Sequence, residues 1–233
     1  MQRYFAKDKY ILEDSDIHHI KSVMRMRIGD KIEVVYDNKL YIGKITSLNP
    51  FNYEIIEGLK DSQNNSYSLT VAVSLVKEQK MDLILQKLTE LGVSEIIPLK
   101  TERSIVKIDG DRFEKKKIRW ESICKEASEQ SKRLDIPKIR NIMSLKELIL
   151  ENADTKLVAS TNKNNLLDYY LQDKEKCAKI IVVIGPEGGI TEKEEKFLYD
   201  NGYNGVSFGN LIFRVETACI YIASIINYFG SKR

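Results

Sequence analysis

The feature that most constrains this chain is a strand–glycine–helix unit that occurs twice near its carboxyl end. Ile180-Ile181-Val182-Val183-Ile184 is a continuous apolar run that stops at Gly185-Pro186-Glu187-Gly188-Gly189. Such a run reads as a strand buried on both faces and ending in a loop. Thr191 and Glu194 then have the capping-box spacing that starts a helix. The order recurs when Val206-Ser207-Phe208 meets Gly209, passes through Asn210-Leu211-Ile212-Phe213-Arg214 and enters a helical run from about Val215 to Phe229. Two such units place two backbone-rich loops at the carboxyl ends of a sheet, where open α/β folds bind ligands.

The glycine spacing excludes some ligands. Neither a Gly-Lys-Ser/Thr ending nor a G-x-G-x-x-G is present, so the usual phosphate cradles are missing. Glu187 puts a carboxylate where a phosphate loop would want none, which favours a ligand that is neutral or cationic there. A tight turn between strand and helix explains the first loop, taken alone, equally well.

Together, Gly185-Pro186-Glu187-Gly188-Gly189 and Phe208-Gly209-Asn210-Leu211-Ile212-Phe213-Arg214-Val215-Glu216-Thr217-Ala218 resemble the RsmE family, ribosomal RNA uracil-N3 methyltransferases of the SPOUT superfamily. Lys87-Leu88-Thr89-Glu90-Leu91-Gly92-Val93, Glu102-Arg103-Ser104, Arg119-Trp120 and Glu126 to Arg133 fit the same pattern, from Arg3-Tyr4-Phe5 to the last helix. One departure is the loop Gly-Asn-Leu-Ile-Phe-Arg, where the family commonly has Gly-Pro-Arg-Ile-Leu-Arg. The resemblance implies an α/β SPOUT-type sheet with a C-terminal deep trefoil knot, preceded by a small PUA-like or OB-like β-barrel. It also implies S-adenosylmethionine as cofactor, 16S ribosomal RNA in the small subunit as substrate, and a homodimer.

The chain divides at the polar stretch 60 to 68, giving residues 1–68 as an RNA-binding barrel with its linker and 69–233 as the methyltransferase domain. In the first part, Lys31 to Tyr36, Leu40 to Leu48 and Tyr53 to Glu57 read as strands, with a hairpin turn at Asp37-Asn38-Lys39. A helix is predicted between Asp16 and Met26, capped by Asp14, Ser15 or Asp16. In the second part, strands at Leu69 to Val76, Ile96 to Leu99 and Lys156 to Ala159 alternate with helices. The helices are one capped by Asp82 and stopped by Gly92, one over Phe113 to Arg133 and one over Asn165 to Leu171. Cys124, Cys177 and Cys219 are too scattered for a disulfide framework or a metal site, and no apolar leader or membrane-length run is present. The expectation is a cytoplasmic enzyme without metal.

The resemblance assigns the cofactor to Ile184, Gly185, Glu187 and Gly188 of the first loop. Phe208, Gly209, Leu211, Ile212, Phe213 and Thr217 would hold it from the second. Glu187 equally suits a salt bridge and Thr217 a helix cap. Close approach of the backbone to the ligand would account for glycine at 209. Arg214 is a cation at a helix start, the end its dipole disfavours, which marks it as a catalytic candidate for charge developing on uracil. Net charge is only +3, but basic residues gather early in the chain, and Arg3, Arg25, Arg27, Arg103 and Arg133 are the RNA-contact candidates. Arg103 and Arg133 have carboxylates nearby as alternative partners. Trp120 reads as core. A ribose 2′-O-methyltransferase or a non-catalytic RNA-binding protein are the rival readings.

Overall fold

The computed structural model describes residues 1–61, 67–108, 110–161 and 179–231. The helix expected over Asn165 to Leu171, Cys177 and the centre of the expected linker lie outside the described residues. The chain forms two compact units, Met1–Asn64 with Lys125–Ile136, and Asn65–Cys124 with Pro137–Arg233.

In the first unit, β1 (Arg3–Phe5) lies parallel to β2 (Lys31–Tyr36), and β3 (Lys39–Leu48) and β4 (Phe51–Asp61) follow as an antiparallel meander. Asp37 and Asn38 take φ of 50° and 55°, the left-handed pair whose twist suits a two-residue hairpin. Tyr4, Ile20, Ile32, Val34, Ile45 and Tyr53 form its core. The expected barrel is a four-stranded sheet in the order β1-β2-β3-β4. No pairing of β1 with β4 closes it among the described residues. The expected helix is also shorter. It is α1 (Asp14–His18), continued by a π-helical turn over His19–Val23, and Arg25 in the left-handed region (φ 51°) prevents its extension. Its cap position is Glu13, with no side-chain cap, because Asp16 turns inward and holds Lys125 at 2.8 Å.

The second unit is a parallel sheet in the order β11-β9-β10-β5-β6-β7, with β8 also beside β6. Its strands are β5 (Ser68–Ser74), β6 (Glu95–Lys100), β7 (Lys138–Ile139), β8 (Met143–Ser144), β9 (Thr155–Ala159), β10 (Lys179–Ile184) and β11 (Asn204–Val206). The helices are α2 (Glu78–Glu90), α3 (Gly110–Gln130, shared with the first unit), α4 (Leu145–Leu148), α5 (Glu192–Asp200) and α6 (Val215–Ser231). Helix α2 starts a turn before Asp82, at Lys77, and stops at Gly92, whose φ of 82° suits glycine.

Alternation along β10 divides its apolar run between two layers. Ile180, Val182 and Ile184 join Leu69, Val71 and Val73 of β5 beneath α2, α3 and α6. Ile181 and Val183 join Ala72, Ile97 and Val158 beneath α4 and α5. Each fully buried side chain of this size stabilises the fold by about 1.5–3 kcal/mol, so a sheet apolar on both faces needs both layers. Trp120 lies in the first layer, 2 % exposed, as its sequence context implies. Helix α6 packs on α2, β5 and β10, while β11, which precedes it, is at the sheet edge beyond β9.

Candidate cofactor and catalytic site

Four loops of the second unit follow the carboxyl ends of β5, β6, β10 and β11. Both glycine loops are among them. After β10, Gly185 is followed by a turn in which the Gly189 amide donates to the Pro186 carbonyl at 2.8 Å. A Cβ on Gly185 would lie 2.8 Å from Ile190 Cγ1 and 3.1 Å from the Ile190 amide nitrogen, so the turn closes only over glycine. Helix α5 then begins with the expected capping box between Thr191 and Glu194.

Arg103, in the loop after β6, donates to the Gly188 carbonyl at 2.8 Å and lays its stem against Gly188. The same loop is anchored by buried hydroxyls. Ser74 Oγ and Thr101 Oγ1 are 3.2 Å apart, and Thr101 Oγ1 lies 2.8 Å from Ser104 Oγ. Arg103, an RNA-contact candidate, is exposed and is tied to the first glycine loop by this bond.

The second loop turns at Gly209, whose φ is 97°. Ser207 Oγ accepts from its amide at 3.2 Å. A Cβ at Gly209 would meet nothing within 4 Å. Backbone conformation favours glycine there, and the protein's own atoms leave that side open. Phe208, Phe213 and Tyr221 form an aromatic cluster with ring centroids 5.1–6.2 Å apart. Between those two phenylalanines, Leu211 and Ile212 are 74 % and 84 % exposed, and Thr217 is exposed on the first turn of α6. Ile184 is buried at the end of β10, where it supports the first loop from below.

Charge is concentrated where these loops meet α2. The Lys80 ammonium is 2.8 Å from Glu187 Oε1 and 3.8 Å from Glu216 Oε2. The Glu187 hydrogen bond raises the pKa of Lys80, and Lys80 lowers that of Glu187. Glu216 Oε2 is buried and takes no hydrogen bond among the described residues. The Arg214 side chain is exposed, with no hydrogen bond or ion pair to the described residues. Lys80 is the residue that sequence reasoning missed. Its only sequence signal is its place in the first turn of the helix after β5, at the same end of the sheet.

Other RNA candidates divide. Arg25 and Arg27 are exposed after the π-helical turn. Arg3 is corrected: 5 % exposed, it donates to Glu33 at 2.8 Å and to the backbone carbonyls of Lys132 and Arg133. A guanidinium so committed is a structural tie. Arg133 pairs with Asp135 at 2.8 Å, its side chain 10 % exposed, and is likewise committed within the first unit. Cys124 and Cys219 are buried and form no disulfide among the described residues. Among the described residues, no group of three metal-ligating side chains comes together, and no helix is long and apolar enough to cross a membrane.

A parallel sheet with two glycine loops at its carboxyl edge makes this an α/β protein of the kind that binds small ligands at that edge. The chain belongs to the RNA methyltransferase family, whose domain matches residues 63–227, while the RNA methyltransferase PUA domain matches residues 12–56. Ribosomal RNA small subunit methyltransferase E of Bacillus subtilis is 32 % identical, with 98 % of this chain and 96 % of that protein covered. The protein of the same name from Mesomycoplasma hyopneumoniae is also 32 % identical, over 95 % and 97 %. Among solved structures, a Legionella pneumophila protein with bound S-adenosylmethionine matches with a TM-score of 0.90 at 27 % identity, covering 98 % and 97 % of the two chains. Ribosomal RNA small subunit methyltransferase E of Neisseria gonorrhoeae, bound to S-adenosylmethionine, matches at 0.87 and 29 %, with the same coverage.

Proposed function

We propose that the chain transfers the methyl group of S-adenosylmethionine to N3 of a uridine in 16S ribosomal RNA, within the assembled small subunit. The observation that carries this reading is the exposed Arg214 at the end of the second glycine loop, which makes no ion pair among the described residues. Relatives named for small-subunit ribosomal RNA methylation, and relatives solved with the cofactor bound, support it.

The residues present fit the cofactor. Loops that close only over glycine at 185 and that need a left-handed residue at 209 offer main-chain donors and acceptors, suited to reading adenine without obligatory side chains. Gly185, Glu187 and Gly188 from one loop, and Phe208 to Phe213 with Thr217 from the other, would hold it. When bound, the cofactor would supply an electrophilic methyl group on a sulfonium, with the neutral thioether as leaving group. The protein's part is alignment to about 3–3.5 Å and electrostatics. Uracil N3 must lose a proton, and Arg214 stabilises the negative charge that results. Since N3 is on the pairing edge, the uridine reacts unpaired or flipped out.

Three further elements belong to this reading. Residues 1–68 serve as the RNA-binding domain, with Arg25 and Arg27 on phosphates, and 69–233 as the catalytic domain. The segment after Gly209 threads through the loop after Gly185 as a trefoil knot, supported by the return of α6 from the sheet edge to β5. The enzyme is a cytoplasmic homodimer, supported by Tyr221, Tyr228 and Phe229 exposed on α6. Calorimetry with S-adenosylmethionine, followed by label transfer to undermodified small subunits, tests the reading. Absence of both would refute it.

A further inference from the structure

We propose that Lys80 is a positioning residue that keeps Arg214 free by neutralising the two carboxylates able to capture it. Arg214 immediately precedes α6, Glu216 lies in the first turn of that helix, and Glu187 belongs to the loop after β10. A guanidinium forms strong charge-assisted pairs with a carboxylate that comes within its reach. Instead the guanidinium makes no ion pair among the described residues, and both acids face Lys80, at 2.8 and 3.8 Å. Arg214 also lies near enough to oppose the protonation of Lys80 electrostatically, which places all four charges in one field.

The acids have limited freedom. Glu216 is 15 % exposed and its Oε2 takes no hydrogen bond among the described residues. A buried carboxylate oxygen in that condition will take a nearby donor unless a cation holds it. With Lys80 removed, Arg214 becomes the donor for Glu216 or Glu187. Its charge would then be spent inside the protein before substrate arrives. Lys80 therefore acts through Arg214 and need not touch either reactant.

Lys80→Met, which keeps the stem and deletes the charge, tests this proposal with a readout independent of activity. Phenylglyoxal labels arginines, and peptide mass spectrometry gives the rate at Arg214 in the full-length protein without RNA. The expected result is labelling slowed about tenfold, as a carboxylate engages the guanidinium. Lys80→Arg should restore the wild-type rate, and adding Glu216→Gln or Glu187→Gln to Lys80→Met should recover labelling. Unchanged labelling in Lys80→Met would overturn the proposal, as would slow labelling that neither acid substitution relieves.

The proposal for catalysis rests on the methyltransfer reading above. At saturating cofactor, single-turnover transfer by Lys80→Met should fall about 10- to 100-fold, short of the full loss of a charge-stabilising group. Cofactor affinity should stay within a few-fold. Affinity falling in step with rate would make Lys80 a mere support of the loop. Wild-type protein that transfers no methyl group would defeat the functional reading, while the labelling result still decides the role of Lys80.

Discussion

Arg103 donates to the carbonyl of Gly188 at 2.8 Å, joining the loop after β6 to the glycine loop after β10. The contact ties one loop of the candidate cofactor site to the next. Arg103→Ala should therefore weaken S-adenosylmethionine binding about fivefold, from one charge-assisted hydrogen bond of about 1 kcal/mol. RNA affinity measured without cofactor should hold. A normal cofactor affinity with weakened RNA binding would return Arg103 to the RNA surface.

The two glycines at 185 and 209 should respond differently to alanine. At Gly185 a Cβ would press on Ile190 at 2.8 Å, so Gly185→Ala must move the loop, at about 1–3 kcal/mol. At Gly209 the space is open and only φ resists, which costs about 1–2 kcal/mol for a non-glycine residue. Calorimetry should show Gly185→Ala losing most cofactor affinity and Gly209→Ala losing less. Gly209→Val adds more bulk where the proposed cofactor lies and should bind worse than Gly209→Ala. Equal affinity of those two variants would remove Gly209 from the pocket wall.

What the sequence showed depends on distance along the chain. The β10 run, the Thr191–Glu194 cap and the Asp37-Asn38 hairpin are local signals, and each appears where its residues place it. The limits of α1 and α2 were displaced because tertiary contacts decided them. Asp16 is drawn inward by Lys125, about 109 positions away, so it cannot serve as the cap. Strands β7 and β8 have two residues each and carry no periodic signal. In the site, glycines and Arg214 were legible because one contiguous segment holds them. Lys80 and Arg103 reach the first glycine loop from 107 and 85 positions away, and no spacing rule reads such separations.

Binding and catalysis should separate at Arg214. Arg214→Ala should retain most cofactor affinity, because in the proposed reading the loops hold the ligand by backbone. Single-turnover transfer at saturating RNA should fall about 100-fold or more, as for removal of one charge-stabilising donor. If Arg214 only secures the start of α6, the variant will instead melt earlier and lose affinity together with rate. Wild-type turnover would reject both roles.

In the first unit, burial and the nearby Asp16 carboxylate push the pKa of Glu129 up to about 7 from an ordinary value of 4.5. The folded state thus holds this proton more tightly than the unfolded chain. Its contribution to stability is full below about pH 4.5 and is lost as pH rises through about 7. Glu129→Gln keeps an acceptor for the Phe5 amide and removes the charge. The variant should melt higher than wild type at about pH 8 and equally at about pH 4.5. A melting difference that does not change with pH would show that Glu129 titrates normally.

The most direct test of the whole account is the position of the methyl group. Small ribosomal subunits lacking the modification are incubated with the purified protein and isotope-labelled S-adenosylmethionine, and the RNA is digested and mapped by mass spectrometry. The account predicts one labelled uridine in 16S ribosomal RNA, with the methyl on base nitrogen N3 and transfer by Arg214→Ala slower by about 100-fold or more. Label on a ribose 2′-oxygen, on another base, or nowhere in the subunit would contradict it.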